Sequence, residues 1–68
     1  MKTAHFRIEQ DEQLLMCVWA DISDEEGENV IGLGRFALLS NAHACAASCS
    51  ALLGQMGFKV SLETKAVE

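Results

Sequence analysis

The side chains able to do chemistry are few, and their densest group is His43-Ala44-Cys45-Ala46-Ala47-Ser48-Cys49. Imidazole and thiolate are the ligands zinc takes, and a cysteine in the first turns of a helix can be drawn toward its thiolate. The spacing works against both uses. At about 100° per residue, Cys45 and Cys49 share one side of a helix while His43 points roughly 160° away from Cys45, so the three cannot close on one ion. By its parity in a strand, Cys17 lies with Trp19, and His5 sits in a different strand far upstream. Most of the acids fall in loops and tails, and none stands at a legible distance from a thiol. We therefore expect three reduced thiols that pack as small hydrophobes, with no catalytic residue, no cofactor and no metal. A thiol or metal protein using Cys45 and Cys49 stays as an alternative reading. Gly32-Leu33-Gly34 lacks the third glycine of a dinucleotide fingerprint and the Gly-Lys-Ser/Thr of a phosphate loop, so it predicts no nucleotide site.

The elements that would position these residues follow from hydrophobic period. Ala4, Phe6 and Ile8 alternate with His5, Arg7 and Glu9, which predicts a strand over 3–9. A second strand is expected over Leu14–Ile22, with Leu14, Met16, Val18, Ala20 and Ile22 on one face and Leu15, Cys17 and Trp19 on the other. Apolar residues on both faces place it inside the sheet or under cover on both sides. Ser23–Asn29 reads as an acidic loop turning at Gly27. A third strand should cover Val30–Leu38, and its two glycines suggest a bulge or the close approach of another group. From Ser40 the period becomes helical. Ser40 or Asn41 can cap the helix, Ala42, Cys45, Ala46, Cys49, Leu52, Leu53 and Met56 form its core stripe, and Gly57 can end it in a left-handed cap. Phe58, Val60 and Leu62 then alternate as a last strand, with the tail fraying from Thr64. The expected fold is α+β, a small antiparallel sheet with one helix on a face in the order β-β-β-α-β, forming one domain over 1–68.

Between Arg35 and Lys59 there is no formally charged residue, although the outer face of a surface helix normally carries charge. Opposite the core stripe runs a row of small residues, Ser40, Ala44, Ala47, Ala51 and Gly54, spaced so that another helix backbone could approach closely. A chain of 68 residues also buries little core for its surface, and chains this short commonly gain stability from disulfides, metals or partner subunits. Three cysteines, an odd number without a framework of spacings, do not predict disulfides. A homodimer is therefore expected, through the Ala44-Ala47-Ala51-Gly54 row or, alternatively, through the Leu15 and Trp19 face of the second strand. The helical segment carries Ser40, Asn41, His43, Ser48, Ser50 and Gln55, too much polarity for a membrane span.

Ten acids against five bases give a net charge of −5. That balance argues against direct nucleic-acid binding, which needs a basic stripe to displace counterions. The N-terminus has no uninterrupted apolar run of the kind a secretory signal needs, so a cytoplasmic location is expected. The leading expectation is a non-enzymatic protein-interaction module that self-associates. A second is a small acidic inhibitor of the phage or mobile-element type, in which Asp24, Glu25, Glu26 and Glu28 would occupy a basic nucleic-acid-binding surface of a host protein.

Overall fold

The computed structural model describes residues 1–65. It contains β1 (Thr3–Gln10), β2 (Met16–Asp24), β3 (Gly27–Phe36), α1 (Leu39–Gln55) and β4 (Lys59–Thr64), in that order. The strands form one sheet in the spatial order β3-β2-β1-β4. The α+β class and the element order are those expected from period. The sheet, however, is mixed: β1 pairs antiparallel with β2, and β2 with β3, but β4 lies parallel to β1. Two reversals bring β3 into the same direction as β1. The helix then carries the chain back across one face to the far edge, so β4 sets out in that same direction.

The alternation in β1 buries Ala4, Phe6 and Ile8, and that in β2 buries Met16, Val18 and Ala20, all beneath the helix. From the helix only Ala42 and Ala46 are completely covered. Their small side chains let α1 sit low on the sheet, so the strip it buries is narrow. Leu53, Cys45 and Cys49 flank that strip, half-buried. Leu52 and Met56 do not join it; each is 62% exposed. Leu52 lies about 90° around the helix from the line of Ala42, Ala46, Cys49 and Leu53, too far to turn under it.

Other boundaries moved for local reasons. The expected acidic loop shrinks to the two-residue turn Glu25-Glu26, with Ser23 and Asp24 in β2 and Gly27, Glu28 and Asn29 in β3. Acids are tolerated there because the end of the hairpin faces water, and the backbone ladder continues without apolar side chains. Gly27 takes φ +136°, and Glu26 N–H donates to Asp24 Oδ1 at 2.8 Å. Leu14 leaves the core face assigned to it: it is 68% exposed with φ +66°. The turn 11–15 is tied by Asp11, whose Oδ1 accepts from Gln13 N–H at 2.8 Å and Leu15 N–H at 2.9 Å, and Leu14 takes the left-handed corner of that loop.

The helix starts at Leu39 with Leu38 in the cap position and no side-chain cap bond, so neither Ser40 nor Asn41 caps it. Its end is as expected. Gly57 has φ +94°, Gly57 N–H donates to Gly54 O at 3.1 Å, and Phe58 N–H to Leu53 O at 3.0 Å, a Schellman ending. The expected fraying does not start at Thr64: Thr64 pairs with Ile8, and Lys65 N–H donates to Ile8 O at 2.7 Å. The rest of that tail lies outside the described residues.

The glycines of β3 mark both things they suggested. The register with β2 shifts between Val18 and Trp19, leaving Leu33 as the extra residue of a bulge. At Gly32 a Cβ would come within 3.3 Å of the Trp19 ring, so the indole lies against bare backbone. No helix among the described residues is long and apolar enough to cross a membrane.

Candidate functional site

The sheet has a side covered by α1 and an open side, and the residues singled out by sequence divide between them. Ala44, Ala47, Ala51 and Gly54 all lie on the solvent side of α1 and are exposed, as is Ser40. Around them on the helix side stand Leu38, Leu52, Met56 and Leu62, also exposed. No carboxylate occupies the first helical turn and no base the last. This surface is apolar or uncharged along the whole helix.

Leu15 and Trp19 are half-buried on the open side, but they do not form a bare apolar face. The Arg7 guanidinium lies 6.0 Å from the centroid of the Trp19 ring. Arg7 also grips Asp21 with two hydrogen bonds, Nε to Oδ2 at 2.7 Å and Nη2 to Oδ1 at 3.0 Å, and reaches Glu9 Oε2 from Nη1 at 2.9 Å. Beside this cluster, His5 Nε2 lies 3.0 Å from Glu63 Oε1 and His5 Nδ1 lies 2.7 Å from Ser61 Oγ. A carboxylate only accepts, so Nε2 carries a proton, and a neutral ring then accepts the Ser61 hydroxyl at Nδ1. The bond from His5 holds the Glu63 carboxyl below its usual range.

At the other end, Arg35 Nη2 donates to Asp11 Oδ2 and to Gln13 Oε1 at 3.0 Å. The Leu15 N–H and then Arg35 lower the Asp11 carboxyl to about 2. Cys17 Sγ lies 3.6 Å from the same Asp11 Oδ2. Glu9, Asp11, Asp21 and Glu63 thus each meet a base.

The Ser61, His5 and Glu63 groups stand in the order of an acyl-transfer triad, an arrangement spacing could not reveal because the three share no turn. Its setting is that of a cross-strand ladder. His5 and Glu63 are well exposed, and the surface depression of about 370 Å³ beside His5 is bounded by residues such as Thr3, Asp21, Glu28 and Val30, not by Ser61. The thiols offer less. Burial, and then the neighbouring Cys49, push the Cys45 thiol up, away from thiolate. Among the described residues no three His, Cys, Asp or Glu side chains converge as metal ligands.

The acids of the β2–β3 hairpin form a separate feature. Glu25, Glu26 and Glu28 are exposed, Asp24 is half-buried, and among the described residues none of the four takes part in an ion pair. The other acidic turn, with Glu12, lies at the opposite end of the sheet. Compared with protein-family models, with curated proteins and with solved structures, the chain matches none.

Proposed function

We propose that this chain is a small, non-enzymatic protein-interaction module that self-associates and covers its helix side with another protein chain. One observation carries the reading: the exterior of α1 has no charge from Leu39 to Gln55, and Leu52 and Met56 flank its small-residue row at 62% exposure each. Large apolar side chains exposed together on one side mark interaction sites in soluble proteins, and here they stand among the uncharged Ser40, Asn41, Ser48 and Gln55. The alternative contact through Trp19 is less favoured, because Arg7 already lies over that ring and its own charge is matched by Asp21 and Glu9.

The test is Ala47→Glu, which places a carboxylate in the middle of the helix exterior without touching the core. The variant should keep its circular dichroism spectrum and sediment as a smaller species than the wild type. Equal sedimentation of the two would remove the helix side as a contact.

A second reading is favoured by the hairpin tip, where Asp24, Glu25, Glu26 and Glu28 are left without counter-charges while the acids of the open side are paired. An acidic inhibitor would use such a tip against a basic surface. Binding to an immobilised polycation that weakens steeply with salt, and that the Asn/Gln variant of all four acids loses, would support it.

A further inference from the structure

β3 is the longer of the two edge strands, ten residues against six in β4. Its residues from Gly27 to Ile31 are exposed, with Val30 at 63% and Ile31 at 43%, and nothing between Glu28 and Arg35 is charged. Natural edges are normally guarded by an inward charge, a proline, a bulge or a short length, and of these β3 has only the bulge at Leu33.

We infer that β3 pairs antiparallel with β3 of a second copy about a two-fold axis at Ile31, joining two four-stranded sheets into one. The register supplies the symmetry. β2 opposes β3 from Met16↔Phe36 to Asp24↔Gly27, stepping over Leu33, and the middle rung is Ala20↔Ile31. With Leu33 stepped over in the outer ladder as it is against β2, which keeps partners on one face, the positions on either side of Ile31 match: Val30 with Gly32, Asn29 with Gly34, Glu28 with Arg35, Gly27 with Phe36.

In a two-fold antiparallel pair each residue meets its mirror rung, and equal offsets keep partners on the same face of the sheet. Each Glu28 then stands opposite the Arg35 of the second copy, twice over, and no like charges meet. Val30 comes opposite Gly32, where there is no side chain to oppose it. Ile31 meets Ile31 on the helix side. Sliding the pair by two rungs would set Glu28 opposite Gly32 and shorten the ladder. Main-chain hydrogen bonds supply the affinity, as in other strand additions, and the charged ends set the register. Both helices then lie on the same side of the joined sheet.

This inference rests on the reading of the chain as self-associating, and the experiment separates the two. The probe is the full chain by analytical ultracentrifugation, with circular dichroism to verify folding. Glu28→Arg and Arg35→Glu each create two like-charge contacts and should each weaken the edge pairing about tenfold or more. An equimolar mixture restores both opposite-charge contacts and should form the heterodimer. Arg35→Glu also loses Asp11, so a second pair is included: Ile31→Lys and Ile31→Glu set like charges on the axis when alone and opposite charges when mixed. Mixtures no tighter than the single variants would overturn the edge contact while leaving self-association in place. A wild-type chain that remains monomeric at about 1 mM would overturn both.

Discussion

The two sides of this sheet are held by different physics. Under the helix, Phe6, Ile8 and Val18 are fully buried against Ala42 and Ala46, and no charged group takes part. Among the described residues, nothing large is fully buried on the open side, and the side chains of β1 lock to β2 and β4 through Arg7–Asp21 and His5–Glu63. Burial is strong per residue but insensitive to pattern. Charge pairing is weak per residue in water but fixes which atoms meet. The open side thereby pairs most of its charges with one another, whereas on the helix side small residues leave Leu52 and Met56 outside the core.

The largest expected effect comes from the covered side. Phe6→Ala should cost about 3–5 kcal/mol in urea unfolding, enough to threaten folding in so small a core. Loss of less than about 1 kcal/mol would mean that burial under α1 is not what holds the sheet. Adjacent helix positions sharpen the same point. Ala46→Leu must lift the helix and should destabilise by about 1–3 kcal/mol, whereas Ala47→Leu, on the exterior, should change unfolding by no more than about 0.5 kcal/mol.

On the open side, Arg7→Met should cost about 1 kcal/mol at low salt, and much of that difference should disappear in roughly 1 M sodium chloride. Phe6→Ala should keep its deficit under the same conditions. A salt-independent Arg7→Met effect would recast the arginine as packing against Trp19 and no more.

The smallest effect is read by pH. Asp11 titrates at about 2 in the folded chain against an ordinary 3.8, so its contribution is complete above about pH 4 and is lost as pH falls toward 2. Glu63 shifts in the same direction through His5 and adds to the acid side of the profile. The stability advantage of wild type over Asp11→Asn should therefore shrink across that interval and vanish below it. An advantage unchanged at pH 2 would remove the Asp11 carboxylate as the source.

Most of the architecture was legible from period: Ala4, Phe6 and Ile8 alternate in a strand, the switch at Ser40 announces a helix, and Gly57 ends it. The Gly32-Leu33-Gly34 bulge was legible too, because glycine inside a strand has few other reasons. What period could not carry was direction and edge. The parallel arrival of β4 depends on how far α1 travels across the sheet, which no local pattern encodes. The ends of β2 and β3 were lost in acidic sequence because strands exposed to water need not alternate. Leu14 misled because its apolar side chain fitted the alternation while its backbone served the Asp11 turn.

The Arg7–Asp21 contact was within reach, since a hairpin about the 11–15 turn sets Arg7 opposite Trp19 and one rung-pair from Asp21. Ser61 and Glu63 beside His5 were not, because a parallel pairing has no turn from which to count.

The pairing of β1 with β4 also sets the order in which the chain can assemble. β1, β2 and β3 are neighbours in sequence and can zip through two short turns, whereas His5 and Ser61 are 56 positions apart. Closing that interval costs about 2 kcal/mol more chain entropy than closing the β1–β2 hairpin across its 11–15 turn, by the logarithmic growth of loop entropy. β1, which carries the two bulkiest members of the core, therefore waits as an outer strand until α1 has formed and delivered residues 59–64. The β1–β4 pairing is thus the strand contact of highest closure cost in the sheet, and it should be among the last to form as the chain folds.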